Sequence, residues 1–284
     1  MTPPLVIDEA VFRQKFPDHP FVIKHNLANH PLLQLPRLIE LARTLPADQI
    51  EYNAGNLDVN QDPSSTPHTG LSIEETIRRI EEAKSWMVLK NVEQTPEYNE
   101  LLDECLDLVQ THSLQTLPGM YLREGFIFVT SPKSVTPFHI DPEHNFLLQI
   151  RGDKTVHIWD PSEHDILTQE AMEAFHRGGV HRNQDYRDEY SRSEQKYTLK
   201  PGEGLHFPVT APHWVQNEDN VSISFSITFR SDVSERANRI YRANAWLRER
   251  GMKPTPVGRA PWRDSGKDVI YRVALKARNL MGRH

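Results

Sequence analysis

The chain has 284 residues, 37% hydrophobic and 25% charged, enough for a sizeable core and unlike a fibrous or disordered composition. A single cysteine, Cys105, rules out an intrachain disulfide and points to a reducing, cytoplasmic setting, and no stretch has the length and apolarity of a membrane span. The net charge of −6 is uneven: from Arg230 onward there are 14 Lys/Arg against 5 Asp/Glu, a balance of +9, against −15 for the residues before it. Such a basic tail suits an acidic partner, nucleic acid or an acidic carrier protein, or simply solvated helix faces, and no DNA-binding motif or aromatic and basic interleave accompanies it.

In chain order, Phe21-Val22-Ile23-Lys24 reads as a strand and Leu32 to Leu45, with Pro36 near its start, as a helix. Residues 52 to 70, rich in Asn, Asp, Pro, Ser and Gly, read as a covering loop. Ser72-Ile73-Glu74-Glu75 is a capping-box pattern that starts a helix to about Ala83, and Trp86 to Leu89 follows as a strand. Thr95-Pro96 opens another helix, with Tyr98, Leu101, Leu102, Cys105 and Val109 on one side, which makes the cysteine a core residue.

From Gly125 the texture changes to short apolar or alternating runs. Strands are expected at 126–130, 138–150, 155–159, 197–199, 204–208, 214–216 and 221–229. Strands so closely spaced indicate a barrel or jelly roll. Pro161 to Gly179 reads as a helix and its exit, and 177–196 as a charged insertion. After Phe229 the strands stop, and helices are expected at 233–250 and 269–280 with a linker at 254–261. The expected class is therefore mainly β with flanking helices: N-terminal α/β elements over 1–120, a core over 121–230 and a basic helical extension over 231–284. The extension suits either a homodimer contact or packing on the barrel's outside.

The chemistry gathers at Thr136-Pro137-Phe138-His139-Ile140-Asp141 and Pro212-His213-Trp214. In a strand, residues i and i+2 share a face, so His139 and Asp141 can hold one metal, and His213 completes two histidines and a carboxylate. That set leaves open positions on an octahedral ion, the arrangement of non-heme Fe(II) oxygenases. Asn145, four residues beyond Asp141, shares the inward face if the strand is unbroken. The histidines at 144, 157, 176, 181 and 206 fit no standard metal spacing and read as non-ligands.

Residues Ser134 to Lys154, Pro201 to Pro208 and Pro212-His213-Trp214 together resemble the JmjC and cupin-like family of Fe(II)/2-oxoglutarate oxygenases, in the pattern of factor-inhibiting-HIF-type hydroxylases. The resemblance rests on a Thr three residues before the first His, the His-x-Asp, an Asn four residues later, and Gln149-Ile150-Arg151-Gly152-Asp153-Lys154. It implies a double-stranded β-helix core, with His139, Asp141 and His213 as iron ligands. Lys154 and Thr136 would meet the distal carboxylate of 2-oxoglutarate; Asn145 would lie near the co-substrate or iron ligands, and Ser226 stands where relatives carry Asn or another small polar residue near the co-substrate. The family also supplies a hydroxyl, usually Tyr, from an upstream strand; the matching Trp86-Met87-Val88-Leu89 offers none, leaving Tyr121 or a water.

The implied activity is hydroxylation, or demethylation, of a C–H in a protein side chain or small metabolite, using Fe(II), O2 and 2-oxoglutarate and releasing succinate and CO2. Two other readings are a non-catalytic cupin-like binding or regulatory protein, and a metal cupin that needs no 2-oxoglutarate. Against the first stand the intact His139, Asp141, His213 and Lys154, and against the second stand the Asp ligand and Lys154.

Overall fold

The computed structural model describes residues 2–178 and 182–281. The chain divides into two compact units, Met1–Pro161 with Asn183–Arg230, and Ser162–Arg182 with Ser231–His284. The segment 162–182, expected within the barrel stretch, therefore groups with the C-terminal helices.

The first unit runs β1 (Leu5–Val6), α1 (Glu9–Lys15), β2 (Phe21–His25), α2 (Leu35–Thr44), β3 (Ile50–Ala54), α3 (Ile73–Arg78), β4 (Ser85–Leu89) and α4 (Pro96–Ser113). There follow β5 (Tyr121–Thr130), β6 (Val135–His139), β7 (His144–Arg151), β8 (Lys154–Ile158), β9 (Gln195–Leu199), β10 (Glu203–Phe207), β11 (His213–Asn217) and β12 (Ser222–Arg230). An eight-stranded sheet has the order β1-β2-β10-β7-β12-β5-β4-β3 and a four-stranded sheet the order β6-β11-β8-β9, with every pairing antiparallel. This is the expected jelly-roll core with flanking helices.

Period-two alternation explains how the large sheet serves two interiors. On β12, Ile223, Phe225, Ile227 and Phe229 join the apolar cluster that also holds Phe12, Phe21, Leu38, Tyr98, Leu102 and Cys105 from the N-terminal elements. Burying each such aliphatic or aromatic side chain is worth about 1.5–3 kcal/mol. The other face of β12 carries Ser222, Ser224, Ser226 and Thr228, all buried. A second apolar cluster, Leu147, Val156, Ile158, Leu199, Leu205, Phe207, Ala211 and Val215, draws on both sheets. Cys105 sits wholly within the larger cluster, and burial pushes its thiol up to about 12.

Within this unit several expectations change. The stretch 138–150 is two strands in different sheets, broken at 140–143 around Pro142. Asp141 therefore lies beyond the strand that carries His139, and the i, i+2 argument does not hold for that pair. The loop expected from residue 52 begins with β3, whose Ile50 and Tyr52 pair with Leu89 and Met87; pairing with a buried strand overrides the polar composition. Helix α3 has its capping box at Ser72 and Glu75 but ends at Arg78, where tighter i→i−3 bonds, Ile80 N–H to Ile77 O and Glu82 N–H to Arg79 O, replace the helical ladder, and the Ile80 carbonyl accepts from Ser131 Oγ at 2.5 Å.

The second unit holds α5 (Gln169–Arg177), α6 (Asp232–Glu249) and α7 (Pro261–Met281). The last begins eight residues before the expected start, with its proline at the first helical position, where a missing N–H costs nothing. Arg248 grips the buried Glu173 through two bonds of 2.6 and 3.0 Å, and Arg239 Nε meets Asp268 at 2.5 Å. Helix α7 has inverted amphipathicity: Asp264 and Asp268 are 3% and 4% exposed, whereas Trp262 and Ile270 are 73% and 66% exposed. No helix among the described residues is long and apolar enough to cross a membrane.

Candidate functional site

His139 ends β6 and His213 begins β11, and the two residues are direct partners in the small sheet. Their rings lie 4.1 Å apart, centroid to centroid. Each Nδ1 faces the carbonyl two residues earlier, Pro137 at 2.6 Å and Ala211 at 2.9 Å. A carbonyl only accepts, so each Nδ1 carries a proton, and in the neutral ring it is Nε2 that presents the lone pair. Both Nε2 atoms stand 3.7 Å from Asp141 Oδ2, too far for a hydrogen bond. Asp141 is held by its backbone, whose carbonyl accepts from the Thr210 N–H at 2.8 Å.

Two imidazole lone pairs and a carboxylate oxygen thus converge, with all three ligand atoms within 4.8 Å of one another. The donor set fits a divalent transition ion that takes imidazole and carboxylate. Among the described residues this is the one cluster of three or more His, Cys, Asp or Glu side chains with that geometry. His144, His157, His176 and His206 stand outside it, and His181 lies outside the described residues. His144 and His206 pack among Phe16, Phe146 and Phe229, where burial pushes them down to about 4 and about 3.

Further into the same barrel, Lys154 begins β8 in the small sheet and is 4% exposed. Its Nζ donates to Ser224 Oγ of the large sheet at 2.8 Å, and Ser224 donates in turn to Gln149 Oε1 at 2.7 Å. The Gln149 amide nitrogen spends its protons on Arg151 O, Gly152 O and Ser222 Oγ at 2.7–2.9 Å. An ammonium has three donors and no acceptor, so one or more N–H of Lys154 remain for a ligand, while Ser224 has already given its proton. With burial as its sole cause, the lysine is pushed down to about 7. A buried group of this kind gains most from an anion.

Phe128 lies beside this lysine, with Nζ 5.9 Å from its ring centroid, and Trp86 packs against the same ring at 5.8 Å. The Trp86 indole N–H reaches across to Thr136 Oγ1 at 3.0 Å. Tyr121 pairs with Arg230, at the opposite end of β5 from Thr130, the partner of Trp86.

Asn145 arrives by a different route from the one expected. It lies on β7, beside Phe207 and Thr228, and its Oδ1 accepts from Ser226 Oγ at 2.7 Å. Phe207 stands edge-on to His213, ring centroids 4.7 Å apart, which places Asn145 in the row next to the histidine pair.

Two segments cover the free edge of β6. The Phe138 N–H donates to Val59 O, and Phe138 O accepts from Gln184 N, both at 2.9 Å. Asn60 then clasps Tyr186, donating to its carbonyl at 3.0 Å and accepting from its N–H at 2.6 Å. Residues 59–60 of the polar loop and 184–186 of the charged insertion are thus fastened to each other beside His139.

Sequence reasoning missed Trp86, Phe128, Gln149 and Ser224. The alternation Ser222-x-Ser224-x-Ser226-x-Thr228 was the available signal for a polar interior face; nothing marked Trp86, in an all-buried apolar strand, as different from core.

The cupin-like domain family matches residues 19–235. Among solved structures, an X-ray structure of E. coli YcfD superposes with a TM-score of 0.55 at 15% identity, covering 95% of this chain and 68% of that one. YcfD described as a ribosomal oxygenase from Escherichia coli in complex with cobalt and 2-oxoglutarate gives 0.53 at 16% identity, covering 96% and 67%. The same protein with cobalt and succinic acid gives 0.50 at 15%, covering 95% and 67%. At these identities the likeness is one of fold. The match over 19–235, spanning the barrel and its cluster of two histidines and an aspartate, identifies the chain as a member of the cupin-like domain family.

Proposed function

We propose that this protein is an Fe(II)- and 2-oxoglutarate-dependent oxygenase that hydroxylates a C–H bond of a protein side chain. The observation that carries the reading is the pairing, inside one barrel, of the convergent His139, Asp141 and His213 with a buried Lys154 whose Nζ meets the neutral Ser224 hydroxyl and no carboxylate among the described residues. Overall, substrate C–H, O2 and 2-oxoglutarate give alcohol, succinate and CO2. Iron bound at the triad supplies the activation of O2 that this oxidation needs.

The chain's own residues bind, orient and exclude water. The Nδ1 bonds to Pro137 and Ala211 fix both imidazoles with Nε2 presented, as carbonyl partners do for metal-bound histidines. Lys154 and Thr136 take the distal carboxylate, a charge-assisted contact that keeps the lysine protonated. Asn145 and Ser226 line the way between that carboxylate and the triad. Apolar Leu147, Val156, Leu205 and Val215 keep the barrel dry around them.

A protein substrate is favoured by the kinship in fold with an enzyme described as a ribosomal oxygenase; a small metabolite is the alternative. The loop at 52–70 and the insertion at 177–196, fastened together beside His139, are the elements that would select it. Residues 121–230 then carry the chemistry and 231–284 association. A homodimer through the C-terminal helices would cover Trp262, Val269, Ile270 and Val273, with Gly266 on the same face allowing close helix approach. Light scattering of Ile270→Glu tests this, and a mass unchanged from wild type removes it. A reducing cytoplasm suits both a ferrous ion and a lone thiol.

The test of the central reading is anaerobic addition of Fe(II) and 2-oxoglutarate, watched for the weak visible metal-to-ligand charge-transfer band. Its absence in folded, iron-loaded protein would end the proposal. Succinate release across peptides and metabolites then addresses the substrate.

A further inference from the structure

Trp86 is the one large side chain of β4 whose polar atom reaches the other sheet. β4 and β6 begin side by side: Ser134 Oγ donates to Ser85 O at 3.2 Å, and Gly55 bridges the two, its N–H donating to Lys84 O at 2.7 Å and its carbonyl accepting from Val135 N at 2.8 Å. The approach is close enough that a Cβ on Gly55 would meet Ser85 backbone atoms at 2.8 and 2.9 Å. From this junction the Trp86 ring turns into the barrel, lies against Phe128 and donates its N–H to Thr136 Oγ1 at 3.0 Å.

Direction is the informative part of that bond. An indole N–H can only donate, whereas a threonine hydroxyl both donates and accepts. With one lone pair of Thr136 committed to the indole, the hydroxyl proton points elsewhere, and a hydrogen bond accepted strengthens the one donated. Ser224 is set the opposite way. It receives from Lys154 and gives its proton to Gln149, so its orientation offers nothing further to an anion. The two hydroxyls are thereby sorted, one poised to donate to a ligand and the other consumed in holding the lysine.

We infer that Trp86 is a positioning residue for the co-substrate, fixing the Thr136 hydroxyl as a donor to the distal carboxylate. The inference rests on the 2-oxoglutarate reading above and extends it to a residue that touches the ligand only through Thr136. It also gives the barrel a preference. A dicarboxylate 2-oxo acid uses the relay, whereas an isostere ending in a methyl group cannot.

The test is calorimetric titration of Ni(II)-loaded full-length protein with 2-oxoglutarate and with 2-oxovalerate, which ends in a methyl where 2-oxoglutarate has its distal carboxylate. Trp86→Phe keeps a ring against Phe128 and removes the N–H. It is expected to weaken 2-oxoglutarate about tenfold, the size of one hydrogen bond, and to leave 2-oxovalerate unchanged. In a Thr136→Val background the same substitution is expected to add nothing. Should the phenylalanine variant fold poorly by circular dichroism, 3-benzothienylalanine at position 86 keeps the bicyclic volume, deletes only the N–H and is expected to give the same split. Unchanged 2-oxoglutarate affinity, or equal loss of both ligands, overturns the inference while leaving the proposed activity standing. Failure of the wild-type protein to bind 2-oxoglutarate at all overturns the reading beneath it.

Discussion

Binding of 2-oxoglutarate should take up a proton, and the perturbation that reveals it is pH. Lys154 is fully buried, bonded through Nζ to the neutral Ser224, and held down to about 7 by burial alone. At pH 8 about nine-tenths of the ligand-free molecules then carry a neutral amine, since each pH unit beyond the pKa is a tenfold change. The bound carboxylate requires the ammonium, so the apparent Kd is expected to be flat below pH 7 and to rise about tenfold per unit above it. Stability follows with a definite sign. In the unfolded chain this lysine keeps its ordinary value of 10.5, so between 7 and 10.5 the unfolded state binds more protons and the ligand-free fold gains stability as pH rises. The cost of the buried charge, about 5 kcal/mol at order of magnitude, is fully present below pH 7 and disappears by pH 10.5. Calorimetry of Ni(II)-loaded protein in buffers of differing ionisation enthalpy counts the protons. Uptake near one per ligand is expected at pH 8.5, and none in Lys154→Met. Equal affinity at pH 6.5 and 9, or an undiminished pH slope in that variant, would refute the reasoning.

Asp141→Ala is expected to abolish iron binding, whereas Lys154→Ala keeps iron and raises the 2-oxoglutarate requirement; metal analysis and titration separate the two, and equal iron loss tells against the roles. Ser224→Ala removes the donor to Gln149 Oε1 and the acceptor for Lys154. Leaving buried polar atoms unmet costs about 1–3 kcal/mol, to be read from urea unfolding of the ligand-free protein. Asn60→Ala deletes both bonds to Tyr186. It should speed amide exchange at Gln184 and Phe138 while leaving β12 protected, and unchanged exchange there would mean the two segments are held by other contacts.

The metal cluster and the jelly roll were legible because each has a strong local signature: His-x-Asp, a distant Pro-His-Trp, and closely spaced strands. Reading 138–150 as a single strand failed because it ran through Asp141-Pro142-Glu143, a polar, proline-bearing stretch at which the chain changes sheet. Asn145 still faces the interior, since its own strand alternates independently of the one before it. Trp86 and Gln149 stayed hidden for another reason. Their partners lie 50 and 75 positions away, and a side chain's choice between packing and relay is decided by what the fold brings opposite it. The early stop of α3 was equally unmarked, because the tighter turn at Ile77–Ile80 has no local signature in the apolar spacing that continues through Ile80.

The alternation along β12 has a consequence for how this protein tolerates change. Apolar residues 223, 225, 227 and 229 belong to the cluster that holds the molecule together, and hydroxyl residues 222, 224, 226 and 228 lie buried on the opposite face, the one proposed to meet the co-substrate. Sequence drift along this strand is therefore filtered by two independent pressures that switch at every residue. Conservative exchanges at odd positions alter how much protein survives in the cell, and those at even positions alter what the surviving protein accepts. A saturation scan of nine consecutive codons, scored separately for abundance and for ligand affinity, should return two interleaved combs, each blind to the other's teeth.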